Sequence, residues 1–306
     1  MQVPLRRRGG RPQEAALALL TDALQLALNG AMEGAVLAVP AIGFNAVYAV
    51  LRFANFAVAS FATIGAFAGW AANTALGWPV APSLLAAFVV AGIVGVVTDE
   101  VALRPLRPSG ALTTAIASVA LAIILENVVR FFFGNDPRGF NLAVYRDWRG
   151  FGLHVGPQQA RDAGAALVAM AALFGFLAFT RAGKTMRAVA DNPTLASLKG
   201  IDAPRVARIA SFVGLGLSGF GGMLIALDTQ VDPLTGFRVL LPIFAAAVVG
   251  GLGSIPGAVA GAFLIGIGQE MSLLVLPATY RGAVGFLAIL LVLSFRPAGL
   301  FGQAAS

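Results

Sequence analysis

Acidic and amide side chains set inside long apolar runs are the residues of this chain that could do chemistry. Each ionisable one costs at least ~2.5 kcal/mol at the centre of a membrane-spanning helix, so its presence needs a reason. Glu33 lies mid-run with Asn29 one turn before it, and no local partner is in view. It faces either a partner subunit or a water-filled path. Glu126 and Asn127 end the run AIASVALAIILEN, where Arg130 stands four residues on from Glu126, at helical pairing distance. Asp99 and Glu100 lie close to Arg104, and pairing is the simpler reading for both. Gln269 and Glu270, late in another run, stay ambiguous. Asn45, Asn55 and Ser60 complete the polar set that could line a solute path. Asn55 and Ser60 flank a break between apolar segments, where freed backbone groups and small polar side chains can bind a solute head. Small residues there can equally serve helix packing alone. Arg52, beside the break, reads as an interfacial anchor.

None of these groups forms a catalytic constellation. The chain has no cysteine and a single histidine, His154, so thiol chemistry and cysteine or histidine metal clusters are excluded. No G-x-x-x-x-G-K-[ST] loop is present, so the chain does not itself hydrolyse ATP. The run Gly250-Gly251-Leu252-Gly253-Ser254 resembles a phosphate cradle only superficially, because it lacks the lysine and lies between apolar runs. The expectation is a protein that is not an enzyme, with no metal and no cofactor of its own.

The elements that must position these residues are membrane spans. Of 306 residues, 58% are hydrophobic and 11% charged, against about 25% charged in a soluble domain. The net charge of +7 is small for the length and does not point to nucleic acid. Ten apolar segments can be marked: 17–38, 40–51, 54–76, 82–103, 111–133, 163–180, 209–228, 239–250, 256–275 and 282–295. A crossing needs about 20 residues, so the second and eighth are short and must be tilted, broken or re-entrant. The expected fold is therefore all-α, a polytopic membrane protein of about eight long and two short or broken helices. Residues 1–16 form a basic tail, with Arg6, Arg7, Arg8 and Arg11, and 17–302 form one transmembrane domain. The tail resembles the start of a signal peptide, but Gln13, Glu14 and Asp22 interrupt it, which favours an uncleaved first span.

The stretch Arg181–Arg208 stands apart. It holds six basic and two acidic residues between two apolar runs. Asn192 can cap a helix, Pro193 suits its first position, and Gly200 suits the left-handed position after its end. A short, capped, basic helix at an inner membrane face implies a docking partner. Arg187, Asp191, Asn192, Pro193, Ala196, Leu198, Lys199 and Gly200 are the residues expected to meet it. Placing this loop in the cytoplasm puts the N-terminal arginines, the Arg104–Arg107 turn and Arg296 there too, as the positive-inside rule asks. The loop 134–162, with Tyr145, Trp148 and Phe151, then falls outside as an ordinary structured loop or a partner contact.

A weak repeat is visible. Pro40 opens a segment leading into Asn55–Gly69, and Pro242 opens one leading into Gly253–Gly266. Parallel duplicated units with two discontinuous helices would suit a substrate path.

From about Ala23 to Gly302 the chain resembles the membrane permease of branched-chain (hydrophobic) amino acid ABC importers, in its H-type form. The resemblance is carried, in order, by NGAMEGAVLAVPAIGFNAVYAVLRFANFA (29–57), DEVALRPLRPS (99–109), AIASVALAIILEN (115–127), GKTMRAVADNPTLASLKGID (183–202), AAVVGGLGSIPGAVAGAFLIG (246–266) and RPAGLFG (296–302). It implies a second, homologous permease subunit, two cytoplasmic ATPase subunits that bind the ATP, and a periplasmic solute-binding protein. It implies a bacterial inner-membrane location, with lipid around the spans and both termini cytoplasmic. It also makes Asn192–Gly200 the coupling region.

One stretch departs from the family pattern. Where Asn-Phe-Ala-His-Gly is common, this chain reads Asn55-Phe56-Ala57-Val58-Ala59-Ser60, and Glu33 stands where an apolar residue is common. The cargo is thus a branched-chain amino acid or a related compound such as urea, a short amide or a small organic acid. From physics alone, an ion- or proton-coupled carrier using Glu33 or Glu126 fits the broken helices equally well.

Overall fold

The computed structural model describes residues 12–142, 147–150, 153–296 and 298–302. Among them are eleven α-helices and one two-stranded hairpin. The helices are α1 (Pro12–Leu51), α2 (Val58–Thr74), α3 (Val80–Thr98), α4 (Ala111–Phe133), α5 (Pro157–Phe179), α6 (Arg181–Asp191), α7 (Pro193–Leu198), α8 (Ala203–Asp228), α9 (Thr235–Gly250), α10 (Ile255–Met271) and α11 (Arg281–Phe295). Strands β1 (Trp148–Gly150) and β2 (Leu153–Val155) pair antiparallel, with Arg149 opposite His154. Seven helical stretches are long and apolar enough to cross a membrane, with α9 shorter, so the protein is an all-α, multi-pass membrane protein. Tail residues 1–11, Tyr145, Arg146 and Phe151 lie outside the described residues, and 12–16 already belong to α1.

The first two apolar segments are one helix, not two. α1 runs through Pro40 for 40 residues, a length of about 60 Å at 1.5 Å per residue. Proline is tolerated within a membrane helix when neighbours accommodate it. Here its ring packs on Gly221 of α8, where a Cβ would collide with it. From Gly34 to Val47 the helix is buried on every side, which is why its sequence is apolar all round. The break comes later, at Arg52–Ala57. Arg52 takes φ +58°, a rare conformation for a residue with a Cβ. Asn55 then accepts a hydrogen bond from the Ala57 N–H at 3.0 Å.

Glycines set the packing. Gly30 and Gly34 face Ile267 and Phe263 in turn, so α1 runs against α10. Gly43 meets Gly214 and Pro40 meets Gly221, so α1 also runs against α8. Gly65 lies on Gly219, where any Cβ would strike the opposing backbone, and this lets α2 and α8 cross in contact. Gly250 and Gly261 approach Gly257 and Ala246, so α9 and α10 are antiparallel. The two α-helices with an interior proline, α1 and α9, therefore point the same way.

The ends of α1 define the two faces of the bundle. Near its start, Gln25 donates to the carbonyl of His154 at 2.7 Å and accepts from its N–H at 2.8 Å. At its end, the Arg52 guanidinium donates to the carbonyl of Ala190 in α6. The start of α1 thus shares a face with the hairpin, and its end shares a face with α6 and α7. The expectation that the first span begins on the face of the 181–208 loop fails for the described part of α1. The reason is that 17–38 and 40–51 make one crossing instead of two.

Candidate functional site

The stretch Arg181–Arg208 holds two short helices, α6 and α7, before α8 begins. Thr180 starts α6 by accepting from the Gly183 N–H at 3.0 Å. Gly183, Met186 and Val189 recur at helical spacing and are buried, while Arg181, Lys184 and Arg187 are exposed. α6 is therefore an amphipathic helix with its basic side free. Asn192 closes α6 and opens α7, its side chain accepting from the Leu195 N–H at 2.9 Å. Pro193 takes the first position, and Gly200 stands at φ +79° after the end. There the Ile201 N–H reaches back to the carbonyl of Ala196 at 3.1 Å. These are the cap and stop that the residue types announced.

The residues expected to meet a partner differ in exposure. Arg187, Asp191, Asn192, Pro193, Leu198, Lys199 and Gly200 are all exposed on this face. Ala196 is not, because it turns inward at 4% exposure and anchors α7 to the core. Leu195, which the sequence reading passed over, points outward with Leu198, at 53% and 79% exposure. Beyond them Asp202 caps α8 by accepting from the Arg205 N–H at 3.2 Å, so that helix begins at Ala203.

The polar residues expected on a solute path fall into three groups. The first is structural. Asn45 donates to the carbonyls of Gly251 at 3.2 Å and Ser254 at 2.9 Å, and clasps the turn between α9 and α10. The glycine-rich run is that turn, with Gly251 and Gly253 at positive φ. Asn55 is buried and consumed by its own turn, Asn29 accepts from Gln25 at 2.9 Å, and Asn127 bonds the Ile123 carbonyl on an exposed face. Each of these amides makes at least one bond within the fold.

The second group is Ser60 and Glu126, which line one cavity of about 300 Å³ between α2, α4 and the start of α9. Ser60 donates to the carbonyl of Ala122 at 3.0 Å, and Glu126 pairs with Arg130 at 2.5 Å, as its spacing suggested. Phe56 closes one side, stacked on Phe244 with centroids 4.7 Å apart. Of the residues that depart from the family pattern, Ala59 and Ser60 reach this cavity, while Val58 is wholly buried in the core.

The third group centres on Glu33, which does have a partner. Arg281 at the start of α11 pairs with Glu33 and, at 2.7 Å, with Glu270 of α10. No local pattern reveals this, because the ends of the chain supply the two partners. Glu33 and Arg281 line a cavity of about 360 Å³ that Asp228 of α8 and Arg238 of α9 also line. Arg238 in turn pairs with Asp232 at 2.6 Å, and Asp228 lies beside Asp162 of α5. Asp228, Arg238 and Arg281 sit at helix ends that the segment boundaries had left as loop edges, so the sequence reading missed them.

Asp99 is also repartnered. Glu100 takes Arg104, whereas Asp99 receives Arg107 on both oxygens at 2.5 Å and Ser211 of α8 at 3.1 Å. The cause is the π-helical turn Asp99–Leu103, which rotates Asp99 off the α-helical register and into the bundle.

Known proteins match this arrangement along nearly all of its length. Residues 26–293 match the model of the branched-chain amino acid transport system permease component. The chain is 31% identical to the high-affinity branched-chain amino acid transport system permease protein LivH of Escherichia coli K12, over 92% of this chain and 96% of that one. It is 30% identical to the corresponding permease protein BraD of Pseudomonas aeruginosa, with the same coverage. It is also 30% identical to a probable LivH of Methanocaldococcus jannaschii, over 78% of this chain and 79% of that one. On this match the chain belongs to the branched-chain amino acid transport permease family, and it is a transport subunit rather than an enzyme.

Proposed function

We propose that this chain is the membrane subunit of an ABC importer that carries a branched-chain or related hydrophobic amino acid across a bacterial inner membrane. It works beside a second, homologous permease subunit, above two cytoplasmic ATPase subunits that hold the ATP, and below a periplasmic solute-binding protein. Lipid covers the apolar faces of α4 and α11, where Ile116, Phe131, Phe286 and Leu290 are exposed. The chain needs no cofactor of its own. In this orientation α6, α7 and the C-terminal end lie in the cytoplasm, and the hairpin and the start of α1 lie outside.

The observation that carries this reading is α7. It is a six-residue helix capped at both ends, seated through Ala196, with Leu195 and Leu198 turned away from the bundle. Two exposed leucines on a polar loop are a cost unless a partner covers them. Arg52 ties the end of α1 to α6, so a push on this platform reaches the central helix. The ion-paired state of Glu33 and Glu126 favours an external motor over a carrier that relies on either carboxylate for protons.

The test replaces both Leu195 and Leu198 with Asp in the assembled transporter and measures ATPase co-purification and ATP-driven uptake. Both are expected to fall at least tenfold, about the effect of losing 1.4 kcal/mol of docking energy, while the chain stays folded. Unchanged docking and uptake would remove the role given to α7.

A further inference from the structure

The cavity beside Glu33 has features that the transport reading does not itself supply. It lies on the hairpin side of the bundle, because α5 and α11 begin and α8 ends at its rim, at Gln159, Arg281 and Asp228. It reaches inward to Leu37 of α1, within the buried stretch Gly34–Val47. At about 360 Å³ it stands at the small end of the range for ligand sites, ~300–1,000 Å³.

Its lining combines apolar and charged groups. Met32, Leu37, Ile225 and Val239 supply apolar surface. The rim carries both signs of charge. Glu33 and Asp228 stand against Arg238 and Arg281, and Glu270 and Asp232 pair with the two guanidinium groups from outside the lining. The two guanidinium groups remain reachable, at 61% and 35% side-chain exposure.

The two helix prolines add backbone acceptors. Pro40 offers no N–H to the carbonyl of Val36, and Pro242 offers none to the carbonyl of Arg238. Val36 and Arg238 both line this cavity. Two carbonyls that lack their α-helical donor thus belong to residues that line the same cavity, supplied by helices far apart in sequence.

We infer that this cavity is a transit site for a zwitterionic amino acid with an apolar side chain. Its ammonium group meets Glu33 or Asp228 and the freed carbonyls, its carboxylate meets Arg238 or Arg281, and its side chain lies among the apolar lining residues. The inference rests on the transport reading above and names the place in the bundle where the cargo is held.

The absence of cysteine gives a direct test. Met32→Cys places a thiol in the cavity wall, and Ala165→Cys places a control thiol in a separate cavity of about 600 Å³ beside α5. The full chain in lipid nanodiscs is treated with N-ethylmaleimide in the presence of L-leucine, of L-leucinamide or of 4-methylpentanoate. L-leucine at about twice its dissociation constant is expected to slow modification of the Met32→Cys variant about threefold by simple occupancy, and to leave the rate for the Ala165→Cys control unchanged. Leucinamide, without the carboxylate, and 4-methylpentanoate, without the ammonium, are expected to protect at least several-fold less. Adding Glu33→Gln or Arg281→Lys to Met32→Cys is expected to weaken the protection. Equal protection by either analogue, slowing at both thiols, or no protection by L-leucine overturns the inference. None of these results touches the α7 docking assay, so the two readings fail separately.

Discussion

Glu33 of α1 is ion-paired with Arg281 of α11, and that pair closes the bundle between its first and last helices. Glu270 shares the same guanidinium from α10 and is the more buried carboxylate, at 7% side-chain exposure against 38% for Glu33. The two carboxylates therefore depend unequally on Arg281. Arg281→Gln leaves Glu270 buried and unpaired and is expected to cost about 2 kcal/mol, discounted from the larger penalty of a fully buried pair. Glu33→Gln leaves the inner pair intact and is expected to cost under about 1 kcal/mol, as for an exposed pair. Thermal unfolding of the purified chain should rank Arg281→Gln well below Glu33→Gln, and the double variant should fall short of additivity. Equal losses, or strict additivity, would show that the triad does not act as a unit.

Asp99 makes a stronger clasp on the opposite side of the bundle. It is 2% exposed and joins the α3 end to Arg107 and to Ser211 of α8. Arg107→Gln strands a buried carboxylate, whose desolvation is no longer offset. The expected loss is about 3 kcal/mol. Ser211→Ala removes one hydrogen bond and should cost about 1 kcal/mol. Asp99→Asn, which removes the charge but keeps the shape, should fall between them. Unfolding midpoints for the three variants check the order, and a neutral Arg107→Gln would mean that water reaches Asp99.

What could be read in advance followed the range of the interaction. The caps of α7 are local, so Asn192, Pro193 and Gly200 were legible from residue type and spacing. Glu126 with Arg130 and Glu100 with Arg104 were legible for the same reason, since helical spacing alone brings them together. Glu33 with Arg281 was not, because α1 and α11 are brought near each other by packing on α9 and α10, and no period in the sequence encodes that. Asp99 misled because its partner depends on a π-helical turn, which shifts register without a signal in residue type. Pro40 misled in another way. A proline usually marks a helix end, but here Gly221 clears space for its ring, and that compensation lies in a different helix. Ala196 was assigned to docking because it sits in the right loop, while only three-dimensional burial separates it from Leu195 and Leu198.

The fused first helix has a consequence for membrane topology. Gln25 binds the hairpin and Arg52 binds α6, so one crossing separates the start of α1 from the platform. Four basic clusters had been placed on one face, and this arrangement lets the end of α1, the Arg104–Arg107 turn and Arg296 stay there, while Asp22 falls on the other. Asp22 and Ser197 are both exposed and polar, so cysteines at these places should be wet. In the cysteine-free chain, Asp22→Cys is expected to react with a membrane-impermeant maleimide added to intact spheroplasts. Ser197→Cys is expected to react only after permeabilisation. Labelling of both thiols from one side would mean that α1 does not cross as a single helix. Labelling in the reverse order would keep the helix but turn the protein over, and α7 could then not meet a cytoplasmic motor.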